Sequence, residues 1–160
     1  MVALLGLCLA AQVRVAIPGT DVPATLQSLA VLLIGLTLRP VVALSATAGY
    51  LTLGLIGAPV FAMTTGLLGP TGGYLIGFLL AAIVMSVLRV RSPFPTYLRL
   101  VCAGAAGLAV LFTCGVTWRV IWLGMDWSAA ALTSVAPFIG KALVELFLAA
   151  GAASMVSRRA

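Results

Sequence analysis

The chain has 160 residues, of which 63% are hydrophobic and only 8% are charged, whereas a soluble domain carries about a quarter charged residues. A chain this short has too little interior to bury so much apolar surface, which excludes an ordinary water-soluble domain. Its net charge of +6 comes from basic residues scattered singly among apolar stretches, a pattern that does not indicate nucleic-acid binding. No GxxxxGK[ST] motif is present, so if the protein does anything energy-driven, we expect the energy to come from a partner.

Six apolar segments come close to the roughly 20 residues that a membrane-spanning helix needs. In chain order they are Val2–Ile17, Ala24–Leu38, Val41–Ile56, Gly72–Leu88, Tyr97–Leu123 and Ser128–Val156. The first has neither the basic start nor the cleavage site of a signal peptide, so we expect it to be a genuine helix. The sequence predicts an all-α integral membrane protein of about six transmembrane helices, with residues 1–160 forming one domain.

The arginines are distributed unevenly between the two ends of these segments. If the connections alternate sides, one side receives Arg39, Arg89, Arg91, Arg99, Arg158 and Arg159. The loops on the other side contain Asp21 and Asp126 and no basic residue. The positive-inside rule then predicts a multi-pass protein of the cytoplasmic (inner) membrane with both termini in the cytoplasm. The predicted outer connections are Pro18–Pro23, Gly57–Thr71 and Gly124–Trp127.

Three basic residues, Arg14, Arg119 and Lys141, lie inside apolar segments near their outer ends. An ionisable group at membrane depth is costly unless it is paired or hydrated, so it marks a candidate site. Glu145 follows Lys141 by one helical turn on the same face. Two interpretations remain open. Either Lys141 and Glu145 neutralise each other while the arginines reach outward, or these groups line an outward-facing pocket for a carboxylate ligand.

The outer connections are rich in glycine and proline. Irregular backbone at membrane depth persists only where protein buries it or where it lines a cavity. We therefore expect the segment Gly57–Gly73 and the loop around Pro18 and Pro23 to form the lid and lining of a small-molecule site. Thr25 and Gln27 are two residues apart, so only one of them is expected to point at a given ligand if both are helical.

The usual catalytic and metal-binding sets are missing from the sequence. There is no histidine, and Cys8, Cys102 and Cys114 are isolated in apolar segments, which argues against zinc or haem ligation. Only a serine–lysine pair is conceivable as a catalytic group, and no serine is persuasively placed near Lys141. The sequence predicts no enzyme activity, no cofactor and no metal.

Three stretches carry a family resemblance. They are Val22–Leu33 (VPATLQSLAVLL), Gly57–Ala62 (GAPVFA) and Gly69–Phe78 (GPTGGYLIGF). Together they resemble the signatures of the BioY family, and Pro137-Phe138-Ile139 is similar to the opening of that family's last helix. The similarity covers nearly the whole chain in order.

The resemblance implies a six-helix substrate-binding (S) component of an energy-coupling-factor (ECF) importer, which binds biotin in an outward-facing pocket. The partners it implies are membrane lipid, a transmembrane coupling subunit and two cytoplasmic ATPase subunits. The ligand-binding residues expected are Thr25, Gln27, Phe61, Thr71, Gly72, Gly73, Tyr74, Lys141 and Glu145. Gly6 and Ala10 form a small-xxx-small pair on the first helix that suits contact with the coupling subunit.

The last helix departs from the family pattern. Where the family usually reads PFxxGDxxK, this chain reads PFIGKALVE from Pro137 to Glu145, so the order of the two charges along the helix is inverted. The departure leaves open an S component for another vitamin or for a biotin precursor. A non-catalytic membrane assembly subunit without a ligand is the remaining alternative.

Overall fold

The computed structural model of the protein describes residues 1–91 and 96–157. Its helices are α1 (Val2–Gln12), α2 (Gln27–Thr37), α3 (Pro40–Leu55), α4 (Gly72–Arg91), α5 (Thr96–Leu123), α6 (Trp127–Ser134) and α7 (Ile139–Ser157). Short 3₁₀ turns occupy Gly66–Leu68 and Ala136–Phe138, and strand β1 (Arg14–Val15) pairs antiparallel with β2 (Ala24–Thr25). The predicted all-α class is confirmed.

Helix α2 lies at the centre of the bundle, where it packs against α1, α3, α4, α5 and α7. Its buried apolar side chains include Val31, Leu32 and Leu36, which contribute to the core. Helices α1 and α3 lie against each other on one flank, while α5 and α7 pack together on the other. The end of the bundle that holds the α1–α2 and α3–α4 connections is called the loop end below.

The predicted ends of the first two helices are wrong where these helices meet the loop end. Helix α1 stops at Gln12 instead of Ile17, and α2 starts at Gln27 instead of Ala24. The intervening chain forms a β-hairpin, in which Arg14 lies opposite Thr25. Pro18 and Pro23 favour this course, because proline cannot donate the backbone hydrogen bond that a continuing helix requires. Pairing between the two strands satisfies backbone groups that would otherwise be costly at membrane depth.

The predicted sixth helix is interrupted. Pro137 lacks a backbone N–H, and the chain turns through a 3₁₀ segment between α6 and α7. The Phe138 N–H therefore donates to the Val135 carbonyl, which leaves the Ser134 carbonyl without its usual helical donor. The Tyr74 hydroxyl, from α4, donates to that carbonyl. The break thus creates an acceptor at the loop end, and a buried tyrosine satisfies it.

The helices differ in how far they reach across a membrane. Within residues 1–91 and 96–157, three stretches are long and apolar enough to cross one, namely Gly72–Val90, Thr96–Leu123 and Trp127–Val156 counted through the break. Helices α1, α2 and α3 are apolar but shorter. The 11 residues of α1 rise only about 16 Å in total, roughly half of a hydrocarbon core that is about 30 Å thick. The chain is thus a membrane protein whose loop end is completed by irregular segments.

Helices α4 and α5 approach closely because glycines lie at their interface. A Cβ atom on Gly73 would lie 2.3 Å from the Cys114 carbonyl oxygen, and one on Gly115 would lie 2.6 Å from the Tyr74 ring. Both distances are far below van der Waals contact, so a larger residue at either position would push the helices apart. The two glycines therefore fix the spacing that places Tyr74 at the loop end.

Candidate functional site

A cavity opens at the loop end, between the hairpin, the α3–α4 connection and helices α2, α4, α5 and α7. Its walls are mostly apolar and include Phe61, Phe78, Leu111, Phe112 and Phe138. Its polar groups are few: Thr25, Gln27, Ser28, Thr71, Tyr74 and Lys141. The cavity volume is about 70 Å³, counted as the space open to the centres of water molecules. One water needs about 10–15 Å³ on that measure, so the cavity has room for several waters. An apolar cleft with a few placed polar groups is typical of a small-molecule site.

The structure brings most of the predicted ligand-binding residues together. Six of the nine line the cavity: Thr25, Gln27, Phe61, Thr71, Tyr74 and Lys141. Within the described residues, Gly72, Gly73 and Glu145 are not part of the lining. Cβ atoms on the two glycines would instead collide with Trp118 of α5 and, at Gly72, also with the Leu67 carbonyl oxygen. Glu145 lies beneath Lys141 and is only 5% exposed. Contact of these three residues with a ligand remains a prediction.

Thr25 and Gln27 both line the cavity, contrary to the expectation that only one of them would point at a ligand. That expectation assumed two helical residues, whereas Thr25 lies in β2 and Gln27 is the first residue of α2. The Thr25 hydroxyl donates to Gln27 Oε1 at 3.2 Å and accepts the Gln27 backbone N–H at 3.3 Å. The change from strand to helix therefore turns both side chains to the same space.

The Gln27 amide is held in one orientation by buried partners. Its Nε2 donates to the Tyr50 hydroxyl at 2.7 Å, and that hydroxyl donates to the Val60 carbonyl at 3.1 Å. Together with the bond from Thr25, these contacts decide which end of the amide is the donor. Gln27 keeps one N–H and one oxygen lone pair for another partner. The amide can therefore offer a donor and an acceptor side by side.

We expect Tyr50→Phe to lower the free energy of unfolding by about 1–3 kcal/mol, because it leaves buried polar groups of Gln27 and Val60 without a partner. Tyr50 itself is fully buried. Thermal melting in detergent measures the change. Tyr97→Phe is the matched control, since it removes a hydroxyl from an exposed tyrosine. Equal melting temperatures for the two variants would contradict the proposed role of Tyr50.

Lys141 and Glu145 form an ion pair with a serine between them. Lys141 Nζ lies 2.7 Å from Glu145 Oε1 and donates to the Ser28 Oγ at 2.7 Å. Ser28 in turn donates to Glu145 Oε2 at 2.7 Å. The Lys141 side chain is 28% exposed and that of Glu145 only 6%, so the ammonium faces the cavity and the carboxylate supports it from behind. The pair therefore forms internally, as the first interpretation predicted, and Lys141 still lines the cavity. The carboxylate ligand of the second interpretation stays a prediction.

The expectation that no serine lies near Lys141 is wrong, since Ser28 comes from another helix and sequence distance gives no sign of it. This contact does not resemble an activated nucleophile. A serine is activated when a neighbouring base accepts its proton, but Lys141 Nζ is the donor to both Ser28 and Glu145, and a lysine ammonium has no lone pair with which to accept. Ser28 instead links the two charges.

The two arginines near the cavity do not both reach outward as one interpretation expected. Arg119 is only 3% exposed, and its Nη1 lies 2.7 Å from Oδ1 of Asp21, which is 53% exposed. Arg14 is exposed and donates to the Ala62 carbonyl at 2.6 Å. Arg119 therefore connects α5 to the α1–α2 connection, and Arg14 connects β1 to the α3–α4 connection. These contacts hold the loops over the cavity, and among the basic side chains that the structure describes, Lys141 is the one that lines it.

Phe61 is positioned from two sides. Its ring meets the Tyr50 ring edge to face, with centroids 5.4 Å apart, an arrangement favoured by the ring quadrupoles. A Cβ atom on Gly54 would lie 2.0 Å from the Phe61 ring, so the ring needs a glycine beneath it. Tyr50 and Gly54 were not among the predicted site residues. Their signal in the sequence is only an aromatic residue and a glycine one turn apart on α3.

The chain is similar to known proteins along most of its length. It is 37% identical over 141 residues to the biotin transporter BioY of Thermotoga maritima, and the matched region covers 85% of this chain and 81% of that protein. It is 32% identical over 167 residues to the probable biotin transporter BioY of Lysinibacillus sphaericus, with 99% of this chain and 84% of that protein covered.

A solved structure has the same fold. The crystal structure of the S-component for biotin from an ECF-type ABC transporter superposes with a TM-score of 0.88, covering 98% of this chain and 87% of that chain at 19% sequence identity. The sequence also matches the BioY family along residues 1–160. By this match and by the identity to its relatives, the chain belongs to the BioY family.

Proposed function

We propose that the protein captures biotin outside the cell and serves its uptake across the cytoplasmic membrane as the S component of an ECF-type importer. The observation that carries the proposal is the pairing, in one apolar cavity, of the fixed Gln27 amide with the Lys141 ammonium. Biotin carries a cyclic urea at one end and a carboxylate at the other. The family and the names of its relatives support the same ligand.

The two ends of biotin match the two kinds of polar group. The carboxylate pairs with Lys141, because a charge-assisted hydrogen bond in an apolar site is stronger than a neutral one. The urea exchanges hydrogen bonds with Gln27 and Thr25, which offer donors and acceptors side by side. The sulfur-containing ring packs on Phe61 and Tyr74. Glu145 acts through Lys141 and Ser28 in this arrangement.

The protein performs no reaction on its ligand in this proposal. Its role is to bind biotin reversibly, and the energy for release inside comes from two cytoplasmic ATPase subunits through a transmembrane coupling subunit. The loop end faces outward and both termini lie in the cytoplasm. The arginines at the opposite end of the bundle, among them Arg39, Arg89 and Arg99, support this orientation through the positive-inside rule.

Equilibrium binding of labelled biotin to the purified protein in detergent tests the ligand. We expect saturable binding that excess unlabelled biotin displaces and that thiamine and riboflavin do not. Desthiobiotin, which keeps the urea and the carboxylate but lacks the sulfur, is expected to compete. Displacement by thiamine or riboflavin would move the assignment to another vitamin. Absence of binding by folded protein would favour an assembly subunit.

Gly6 and Ala10 are proposed to contact the coupling subunit. Gly6 is exposed, and a Cβ atom there would meet no described atom within 4 Å, whereas Ala10 is half-buried. Val2, Leu5 and Leu9 are also exposed on α1. The helix therefore offers a face with a small residue at which a second helix can approach closely.

We expect Gly6→Leu to reduce copurification of the coupling subunit by about tenfold or more, since lost close packing of about 1.4 kcal/mol already has that effect. Biotin binding by the isolated variant is expected to stay unchanged, because the position is open in the bundle. Gly151→Leu, at another position with no described atom within 4 Å, is the control. Equal losses in both variants would remove α1 as the specific contact.

A further inference from the structure

A second site lies at the end of the bundle opposite the cavity. A groove runs between the α2–α3 turn and the end of α4, and it is lined by Arg39, Pro40, Val87, Arg89 and Val90. These five residues are called the basic groove. Arg39 is exposed, while Arg89 is anchored by a 3.0 Å hydrogen bond from its Nη2 to the Leu38 carbonyl. Two guanidinium groups, one from the α2–α3 turn and one from α4, thus share one groove.

Among the residues that the structure describes, no acidic side chain forms an ion pair with the arginines of the basic groove. Arg99, at the start of α5, lies near enough to Arg89 to repel it electrostatically. The Nε atoms of Arg89 and Arg99 are buried and have no hydrogen-bond partner in the part of the chain that the structure describes. Like charges gathered around partly buried donors are costly unless an anion joins them.

The three acidic residues of the chain are committed elsewhere. Asp21 pairs with Arg119, and Glu145 pairs with Lys141. Asp126 lies in the loop that follows α5 and caps the N-terminus of α6 by accepting the Ser128 N–H. No acidic side chain of this protein is therefore left for the basic groove, which leaves the groove open to an anion from outside the chain.

The shape and position of the basic groove indicate what that anion is. Helix α3 begins at Pro40, and its first N–H groups carry the partial positive charge that attracts phosphate. Val87 and Val90 add an apolar wall, and Val90 is 65% exposed. A free phosphate has no apolar surface to bury against this wall, whereas a phospholipid combines a phosphate with acyl chains. Basic pockets between helices on the cytoplasmic side bind anionic lipid headgroups in other membrane proteins.

We propose that the basic groove binds an anionic phospholipid. Its phosphate lies between Arg39 and Arg89 at the N-terminus of α3, and its acyl chains lie against Val87 and Val90. Arg99 strengthens the field without lining the groove. The basic groove shares no lining residue with the biotin cavity. The lipid proposal therefore does not depend on which vitamin the cavity binds.

Native mass spectrometry of the purified protein, titrated with phosphatidylglycerol in detergent, tests the proposal. We expect one tightly retained phosphatidylglycerol and weaker retention of zwitterionic phosphatidylcholine. The double variant R39Q/R89Q is expected to weaken phosphatidylglycerol binding by about 25-fold, from roughly fivefold for each arginine near an anionic headgroup. R14Q, which removes the same charge at the loop end, is expected to leave it unchanged.

The single variant R39Q keeps the test valid if the double variant does not fold. Arg39 is exposed, so we expect R39Q to fold, and an unchanged melting temperature shows that it does. It is expected to weaken retention by about fivefold. Equal retention of the two lipids, or undiminished retention in R39Q, would overturn the proposal. Displacement of phosphatidylglycerol by millimolar inorganic phosphate would overturn it too, by showing that the site takes free phosphate.

Discussion

Replacing Lys141 by methionine is expected to weaken biotin binding by at least about 2 kcal/mol, or roughly thirtyfold, because the ligand carboxylate loses its charged partner. The same change leaves the buried Glu145 carboxylate without its cation. We expect the free energy of unfolding to fall by about 2–4 kcal/mol, since removing one member of a buried ion pair is strongly destabilising. The partial exposure of Lys141 and the remaining bond from Ser28 keep the loss below the largest such values.

A second substitution separates these two effects. In the double variant K141M/E145M both charges are replaced by apolar side chains of similar length, a change that is often neutral for stability. We expect the melting temperature to recover most of its loss, while biotin affinity stays as low as in K141M. Glu145→Gln serves as the matched control, because the ammonium still faces the cavity and biotin is expected to bind nearly as it does to the natural protein. Unchanged biotin affinity in K141M would show that Lys141 does not hold the carboxylate.

Gly73→Ala is expected to lower the free energy of unfolding by about 1–3 kcal/mol, the usual cost of overpacking. The new Cβ would lie 2.3 Å from both the Cys114 carbonyl oxygen and Trp118 Cβ. Neither is the end of a flexible side chain, so α4 and α5 must separate, and we expect biotin affinity to fall as Tyr74 moves with α4. Melting temperature and equilibrium binding measure the two effects.

Gly151→Ala provides the comparison for Gly73→Ala. Gly151 lies inside α7, and no described atom would lie within 4 Å of a new Cβ there. Alanine favours a helix over glycine by up to about 1 kcal/mol, so this variant is expected to melt at the same temperature or higher. A Gly73→Ala protein that melts unchanged but no longer binds biotin would instead restore the predicted role of Gly73 as a ligand contact.

The sequence predicted the elements of the bundle better than their ends at the cavity. Hydropathy located six apolar helical segments, because the bilayer requires long apolar runs and internal backbone hydrogen bonds. It could not reveal that α1 stops at Gln12 or that the last segment breaks at Pro137. Both changes depend on tertiary partners: the first on pairing between two strands, the second on the hydroxyl of Tyr74 reaching the Ser134 carbonyl.

The residues of the site were also predicted better than the contacts that orient them. The polar residues at the starts of helices and in the glycine-rich loops indicated a cavity at the loop end, and six of the predicted residues line it. The contacts that orient them come from residues distant in the chain. Ser28 lies 113 positions from Lys141, and Tyr50 lies 23 positions from Gln27. Such partners have no local pattern, since only packing of α2 against α3 and α7 brings them together.

The short α1 helix gives the protein an uneven hydrophobic girdle. On one flank α1 and α3 contribute 11 and 16 residues, whereas α5 on the other flank has 28. The 28 residues of α5 rise about 42 Å, which exceeds a hydrocarbon core about 30 Å thick, whereas α1 is shorter than that core and the hairpin continues it. Hydrophobic mismatch costs fractions of a kcal/mol per ångström. Lipid must thin beside α1, or the whole body must lean. Because mismatch energy accumulates over several ångströms, we expect the bilayer to favour a tilted orientation of this protein.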